Sequence, residues 1–141
     1  MQTAFFSELN DDIISIRTEV FVKEQGFKNE FDLTDKNCLH CLLYKNGVPA
    51  AVGRIYQDKD VKTLFHIGRI AVKQEFRKSG CGKEIINKME EKIKQLGGKE
   101  AELSAQCRVQ SFYEACGYIS ESTVYYDEFC PHIRMKKTLK K

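Results

Sequence analysis

The 141-residue sequence contains no long apolar run, no internal repeat and no low-complexity linker. No apolar stretch approaches the ~20 residues that a membrane-spanning helix needs. The first residues, MQTAFFSELNDD, lack the basic start and the apolar block of a secretory signal peptide. The sequence therefore predicts neither a membrane protein nor a secreted one, and we expect a cytoplasmic location.

An excess of one charge sign is also missing. Basic and acidic residues alternate, and the net charge is only +3. The exception is the terminal KKTLKK (136–141), which is more typical of a solvated tail than of a nucleic-acid patch. We expect no nucleic-acid or membrane partner, whereas a modest positive balance suits an anionic small ligand.

The six cysteines do not form the pattern of a metal site or of a disulfide framework. Cys38 and Cys41 have C-x-x-C spacing, but they begin an apolar run typical of a strand, in which residues three apart point to opposite faces. No second C-x-x-C pair completes a zinc site. We expect reduced thiols and no bound metal.

The length fits one domain, which we take as residues 1–141. Apolar periodicity and turn signals, such as Asn46-Gly47 between two apolar runs, give the element order β-α-(α)-β-β-β-α-β-α-β-β. This order predicts an α/β (α+β) domain with a mixed, mostly antiparallel sheet flanked by helices. Strands are expected at 2–7, on both sides of the Asn46-Gly47 turn, and at 64–72, 100–104, 118–126 and 131–137, and helices at 13–22, 83–96 and 106–116.

The centre of the chain, from His66 to Gly98, combines a strand, a short basic loop with two glycines, and an amphipathic helix. The helix is also predicted to carry the i,i+4 pairs Glu84–Lys88 and Glu90–Lys94. The loop 77–83, called the phosphate loop below, leads directly into its first turn. Glycines permit a close backbone approach there, and the unpaired N–H groups of a helix start attract an anion. The loop is therefore predicted to bind a phosphate.

Two familiar phosphate motifs do not match this loop. The P-loop of nucleotide triphosphatases needs a glycine where Arg77 stands and a hydroxyl residue where Glu84 stands. The dinucleotide fingerprint needs a third glycine at Ile85. What remains, R-x-x-G-x-G from Arg77 to Gly82, resembles the coenzyme A pyrophosphate loop of the GNAT family of N-acetyltransferases. A plain strand-to-helix turn with solubilising basic residues is the alternative for the loop by itself.

Further motifs carry the same resemblance along most of the chain. Ala105-Gln106-(x)5-Phe112-Tyr113-Glu114-(x)2-Gly117-Tyr118 is similar to the family's F-Y-x-x-x-G-F helix, with Gln106 where an asparagine is usual. Three other motifs resemble the ElaA-like subgroup: Arg17-(x)2-Val20-Phe21-Val22-x-Glu24-Gln25, Glu30-x-Asp32-(x)2-Asp35-(x)4-His40, and Pro131-His132-Ile133-x-Met135.

The resemblance implies an acetyl-CoA-dependent acyltransferase that acts directly on a primary amine of a small molecule or a peptide. It implies coenzyme A contacts on the strand before the loop, along the loop and on the following helix. These residues are Ile70, Ala71, Val72, Arg77, Lys78, Ser79, Gly80, Cys81, Gly82, Lys83, Gln106 and Phe112. The family also forms homodimers, which no pattern in this sequence demonstrates.

Tyr113 matches the family's general acid. A phenol with a pKa of ~10 is protonated at neutral pH and can protonate a leaving thiolate, although a packed core tyrosine is the alternative. The base is open among Glu24, Glu30, Asp32, His40 and His132, of which Glu24 and His132 are taken forward as a base or as acceptor contacts. Arg17 is expected to make an internal ion pair.

Three alternatives remain at this point. The same fold could bind acyl-CoA or a metabolite without turnover, it could use another acyl donor, or it could transfer to an oxygen acceptor. A covalent mechanism through Cys81 or Cys107 is disfavoured, because no histidine stands beside either residue in the sequence.

Overall fold

The computed structural model describes residues 1–140, so that Lys141, the end of the basic tail and of the predicted domain, lies outside the described residues. Eight strands form one sheet in the order β1-β2-β3-β4-β5-β8-β6, with β7 also paired to β8. Their bounds are Gln2–Phe6 (β1), Leu39–Lys45 (β2), Val48–Gln57 (β3), Leu64–Val72 (β4), Glu100–Gln106 (β5), Ile119–Ser120 (β6), Tyr125–Asp127 (β7) and Cys130–Thr138 (β8).

Helical segments connect the strands. The three α-helices are Asp11–Arg17 (α1), Cys81–Gln95 (α2) and Gln110–Ala115 (α3). Thr18–Glu24 continues α1 as a π-helix, and Leu33–Lys36, Gln74–Phe76 and Cys107–Val109 form 3-10 turns. In residues 1–140, no helix is both long and apolar enough to cross a membrane.

The sheet is mixed and mostly antiparallel. Only the neighbours β4 and β5 run parallel, with Leu64–Ile67 aligned to Glu100–Leu103, and α2 makes the crossover between them. The predicted fold class is confirmed. The parallel pair is the feature that positions the site described below.

The sheet separates two apolar cores. On one face, Ile85, Ile86, Met89 and Ile93 of α2 are fully buried against the sheet, as their helical spacing predicts. On the other face, α1 and the π-helix pack Ile13, Ile16, Val20 and Phe21 against Leu42, Val52 and Ala71. Because both faces are covered, the central strands are buried along most of their length.

The predicted hairpin is present. Asn46 and Gly47 have φ values of 53° and 77°, the positive pair that a type I′ turn requires. The register then shifts between Leu43 and Tyr44, because Tyr44 pairs with Pro49 and Leu43 pairs with Ala51. Proline cannot donate to the ladder, which accounts for the bulge at this point.

Three predicted boundaries differ in the structure. The first helix begins at Asp11 and changes to π geometry after Arg17, although it ends at Glu24, directly before the Gln25-Gly26 stop that the sequence predicts. The helix predicted from residue 106 begins at Gln110, because Gln106 still pairs with His132 as part of β5. The strand predicted at 118–126 is divided into β6 and β7. At the break, the Arg134 amide donates to the Ser122 hydroxyl instead of a strand carbonyl.

The predicted pair Glu90–Lys94 is wrong. Glu90 is buried and its carboxylate accepts hydrogen bonds from the Tyr118 hydroxyl (2.8 Å) and from Lys137 Nζ (2.9 Å). This residue lies on the inner face of α2, where it joins the helix to β8 and to the end of α3.

Candidate active site

A cavity of about 560 Å³ opens where β4 and β5 diverge. Their ladder ends at Ile67 and Leu103, and beyond this point the two parallel strands separate. A bulge in β4 contributes to the divergence, because Gly53 of β3 faces both Arg69 and Ile70. Arg69 has φ of 51°, an uncommon value for a residue with a side chain. The cavity walls come from β4, β5, the phosphate loop, α3 and the π-helix.

The phosphate loop forms one end of the cavity. Lys78 and Gly80 have φ values of 61° and 86°, which turn successive amides toward the same side. Within residues 1–140, no acceptor receives a hydrogen bond from the backbone N–H groups of residues 78–83. These amides lie at the positive end of the 15-residue helix α2. The loop therefore has the geometry of an anion site.

Gly82 allows the loop to approach α3. A Cβ at this position would lie 3.2 Å from the ring of Phe112 and 3.9 Å from Val72 Cγ2. Phe112 thus packs over the helix start, at the point where β4 ends. The side chain of Ser79 does not line the cavity, because its hydroxyl donates to the Phe76 carbonyl inside the loop.

Arg77 and Glu24 bind each other. The guanidinium donates to both carboxylate oxygens of Glu24 at 2.6 and 2.7 Å, and its Nε donates to the Val72 carbonyl at 3.0 Å. The hydrogen bond from Arg77 lowers the pKa of Glu24. A carboxylate with a lowered pKa is a weak base, and Glu24 does not line the cavity. This geometry disfavours Glu24 as the base.

Tyr113 lies on α3 and lines the cavity. Its ring packs edge-on against Phe112 and Tyr118, with centroids 5.2 and 6.2 Å away. Burial raises the pKa of Tyr113 to about 12, so that the phenol stays protonated. In the described part of the chain, no group accepts a hydrogen bond from its hydroxyl.

His132 lies on β8, and it also lines the cavity. Its Nδ1 is 2.9 Å from the Cys130 carbonyl, and a carbonyl can only accept, so Nδ1 carries the proton and Nε2 has a free lone pair. The ring is held between Phe27 (6.5 Å, edge-on) and Tyr125 (6.2 Å, stacked). In its neutral form, the ring therefore offers Nε2 as a hydrogen-bond acceptor.

The end of the cavity around His132 is covered by two segments that bind each other. The Glu128 carboxylate in the β7–β8 turn accepts from the amides of Lys28 and Asn29 at 3.1–3.2 Å. Phe27 stacks on Phe129 with a centroid distance of 5.1 Å. The part of the same cavity around His132, called the chamber below, is lined by Phe27, Glu30, Asp127 and Glu128.

Comparisons with known proteins agree with this geometry. A family model described as an acetyltransferase (GNAT) domain matches residues 8–139. The chain belongs to the GNAT acetyltransferase family. It is therefore an acyltransferase.

Within the GNAT family the chain is of the ElaA-like type. It is 32% identical to protein ElaA of Escherichia coli over 130 residues, which cover 89% of this chain and 84% of that protein. The crystal structure of Escherichia coli ElaA has a TM-score of 0.84 and 29% identity, covering 96% of this chain and 98% of that one. A 15% identical structure, an aminoglycoside 6'-N-acetyltransferase complexed with coenzyme A, shares the fold with a TM-score of 0.77 and covers 100% of this chain and 98% of that one.

The other sequence-predicted bases of this GNAT chain belong to a buried ion-pair network. Arg17 is fully buried and donates to Glu30 (2.8 Å) and Asp35 (2.7 Å), which confirms its expected internal ion pair. Asp32 binds Arg54 at 2.8 Å and Arg69 at 3.2 Å. Only Glu30 and Arg69 of this network line the cavity. Burial opposes ionisation of Asp32 and Asp35, but their arginine partners lower the pKa of both, which disfavours them as bases. Burial raises the pKa of Glu30, which stays open as a base.

His40 does not reach the cavity. Its Nε2 lies 3.0 Å from the Asp35 carbonyl. The potential metal-ligand atoms of Asp35, Cys38 and His40 lie within 4.8 Å of one another. One feature disfavours a metal ion there, because the Asp35 carboxylate already binds two arginines. Cys41 points into the opposite core, and all six thiols are free.

Several cavity residues were not predicted from the sequence. Gly68 and Arg69 line it because of the β4 bulge, and Gln25, Arg108 and Glu128 reach it from three separate segments. The positive φ of Arg69 has no signal in the sequence. Gln25 did have one, since it closes the R-x-x-V-F-V-x-E-Q motif.

Proposed function

We propose that this GNAT protein transfers the acetyl group of acetyl-CoA to a primary amine of a small molecule or a peptide. The observation that supports this proposal is a single cavity with an anion-binding loop at one end and the side chains of Tyr113 and His132 further along it. A donor with a phosphate at one end and a thioester at the other would fit this order of groups.

The phosphate loop is proposed to hold the pyrophosphate. Its free amides supply fixed dipoles, and Lys78 and Lys83 add mobile positive charge at the cavity wall. Arg77 has a different part, because its guanidinium is already bound to Glu24 and Val72. Through these two contacts, Arg77 is proposed to hold the loop in shape. The GNAT structure that contains coenzyme A is consistent with this use of the fold.

The acyl-pantetheine arm is proposed to lie between the separated ends of β4 and β5. Beyond Ile67 and Leu103 these strands no longer bond to each other, so the backbone of Ile70–Val72 can pair with an extended amide chain. Pairing of this kind fixes the thioester relative to the amine. Orientation of reactants can remove ~7–11 kcal/mol of the barrier.

The proposed reaction needs one base and one acid. His132 Nε2 removes a proton from the acceptor ammonium, and the free amine nitrogen forms a bond to the thioester carbonyl carbon. The carbon–sulfur bond then breaks, and the leaving sulfur receives a proton from the Tyr113 hydroxyl. The amide nitrogen releases its second proton to solvent, so the products are the acetylated amine, coenzyme A and one net proton. Both side chains regain their starting protonation by exchange with solvent.

The acceptor is proposed to enter the chamber covered by Phe27 and Phe129. Its walls contain His132 and the carboxylates of Glu30, Asp127 and Glu128. Acidic groups beside an aromatic wall suit a cationic amine that carries an apolar or aromatic part.

Calorimetric titration with acetyl-CoA tests the donor site. Lys83→Met removes a cavity charge, and we expect a threefold to tenfold loss of affinity on the order of one charge-assisted contact. Lys88→Met is the matched control, because Lys88 lies on the same helix but pairs with Glu91 outside the cavity. No binding of acetyl-CoA at millimolar concentration would remove the basis of the proposal.

Release of coenzyme A thiol in the presence of amines then separates transfer from binding. Spermidine, a lysine peptide and an aromatic amine sample the proposed acceptor class. Binding of acetyl-CoA without any amine-dependent thiol release would favour a non-catalytic binding protein. Comparison of acetyl-, succinyl- and longer acyl-CoA would show whether acetyl is the preferred group.

A further inference from the structure

Three side chains form a hydrogen-bonded row across the cavity. Arg108 Nε donates to Gln106 Oε1 at 2.9 Å, and Gln106 Nε2 donates to Gln25 Oε1 at 2.9 Å. The row starts at the turn before α3, passes the end of β5 and reaches the end of the π-helix. All three residues line the cavity.

The row has only one chemically consistent direction. An arginine guanidinium can donate but cannot accept, so the atom of Gln106 that faces Arg108 must be its oxygen. The amide nitrogen of Gln106 then faces Gln25, and only the oxygen of Gln25 can receive it. Arg108 therefore fixes the orientation of two amides that could otherwise rotate by 180°.

The last group in the row is the Gln25 amide nitrogen. Among residues 1–140, no acceptor lies within hydrogen-bond distance of Gln25 Nε2. The side chain is half-buried in the cavity wall, with its oxygen engaged and its N–H groups available. A fixed donor of this kind is suited to a carbonyl oxygen of a ligand.

The position of Gln25 along the cavity indicates which carbonyl group of the ligand would accept its hydrogen bond. Glu24, the residue before Gln25, binds Arg77, and Arg77 donates to the Val72 carbonyl at the end of β4. Gln25 binds Gln106 at the end of β5. Residues 24–25 thus span the gap between the two strands at their outer ends. The inner end of the gap lies at Ile67 and Leu103. On the proposed function, the arm that crosses this outer level is the amide-containing middle of pantetheine, between pyrophosphate and thioester.

We infer that Gln25, oriented by Arg108 through Gln106, donates a hydrogen bond to an amide carbonyl of the pantetheine arm. This inference rests on the proposed function and adds a cofactor-binding residue from the C-cap of the π-helix. Gln106 uses its oxygen and one N–H inside the row, whereas both N–H groups of Gln25 are unused, so we assign the donor at this level to Gln25.

The test measures binding of coenzyme A, acetyl-CoA and 3′-phosphoadenosine 5′-diphosphate, which has the phosphates but no pantetheine. Gln25→Glu keeps the acceptor for Gln106 and removes the donor. Gln25→Met removes both without adding charge. Gln95→Glu, on an exposed position at the far end of α2, is the matched control.

We expect both Gln25 variants to bind coenzyme A and acetyl-CoA about threefold to tenfold more weakly, by the same factor for the two ligands. Binding of the nucleotide should change no more than in the control. Gln106→Glu should reproduce this loss, because its carboxylate forces the Gln25 amide to turn its N–H groups away from the cavity.

Five results would overturn the inference. Wild-type affinity in Gln25→Glu would mean that the residue only supports Gln106. A loss for acetyl-CoA alone would assign the donor to the acyl group, and an equal loss for the nucleotide would assign the effect to charge. If the unaltered protein binds the nucleotide and coenzyme A equally well, the arm makes no contact here. If it binds neither, the proposed function fails as well.

Discussion

Tyr113 combines a hydroxyl without a protein partner and a pKa raised to about 12 by burial. A phenol of this kind is not a strong acid, and a thiol loses its proton near pH 8.5. Tyr113 is therefore proposed to act first as a hydrogen-bond donor to the sulfur and to release its proton only as the carbon–sulfur bond breaks.

Replacement of Tyr113 by Phe tests this role. The ring and its contacts with Phe112 and Tyr118 are retained, so we expect unchanged folding and an unchanged KM for acetyl-CoA. The value of kcat should fall about a hundredfold, the lower range for loss of a general acid. Steady-state thiol release measures both constants. Tyr126→Phe is the control, because Tyr126 is 69% exposed; equal rates in the Tyr113 variant and the wild type would remove Tyr113 from the reaction.

The same scale supplies a test for the base. His132→Ala removes the ring and leaves a space between Phe27 and Tyr125. We expect a loss of rate of about a hundredfold or more, and partial recovery when imidazole is added, because a free base can occupy that space. His66→Ala is the control without rescue, since His66 bonds to Asp58 at 2.7 Å away from the cavity. Failure of imidazole to restore any rate would favour a structural role for His132.

The residue types of the site were accessible from the sequence, but their partners were not. All cofactor positions named from the motifs line the cavity except Ser79, and Tyr113 and His132 line it as well. The pairing of Arg77 with Glu24 joins residues 53 positions apart, and local patterns carry no information on such contacts. The same limit applies to Gln25 and Gln106, which are 81 positions apart.

At the scale of elements, the loop 26–36 is attached to the body of the protein by the buried ring of Phe27 and, beyond it, by ion pairs. Arg17, Arg54 and Arg69 bind Glu30, Asp32 and Asp35, so three positive groups match three negative groups. Such a network is strongly directional. It fixes the loop whose residues Phe27 and Glu30 line the chamber around His132.

Arg17→Met should destabilise the protein by about 3 kcal/mol, the lower end for a broken buried ion pair, because Glu30 and Asp35 lose one arginine each but keep Arg69 and Arg54. Chemical denaturation with urea measures the change in the free energy of unfolding. Arg134→Met is the control, since Arg134 is exposed and a surface change of this kind stays within about 0.5 kcal/mol. A loss below about 1 kcal/mol for Arg17→Met would show that the network contributes little to the attachment of the loop.

Elements with a strong period were predicted with their bounds, whereas those defined by tertiary contacts were not. The strand β4 and the end of α2 at Gln95 agree with the pattern to within a residue. The change from α to π geometry after Arg17 depends on how Val20 and Phe21 enter the core. The division of the last strands depends on Ser122 meeting Arg134, a contact between two chain segments.

At the scale of the whole molecule, the described sheet is continuous except where β4 and β5 separate beyond Ile67 and Leu103, a gap called the seam below. The order of elements and four separated motifs were sufficient to predict the sheet and its family. They could not predict the width of the seam, which depends on the β4 bulge and on the residues that bridge it. The site is thus a property of the assembled sheet more than of any single element.

The pH dependence of stability is also a property of the whole chain. Burial opposes ionisation of Asp35, but hydrogen bonds from Arg17 and from the Asp32 amide outweigh it and lower its pKa from 3.8 to about 2. The hydrogen bond from His66 lowers the pKa of Asp58 from 3.8 to about 2. Each folded-state pKa lies below its unfolded value. The stability that these groups supply is therefore complete above about pH 4 and is lost as the pH falls toward 2.

The pKa shift of Glu30 has the opposite sign to those of Asp35 and Asp58, because burial raises the pKa of Glu30 above 4.5. Its contribution changes only above that pH, so the interval between pH 4 and 2 reports on the depressed aspartates. We expect the free energy of unfolding in urea to decrease steadily across this interval. Asp58→Asn should lower stability at pH 7 and reduce the slope below pH 4, while thiol release at neutral pH is unchanged because Asp58 lies away from the cavity. A free energy of unfolding that stays constant from pH 4 to 2.5 would contradict the assignment of these two carboxylates as paired groups.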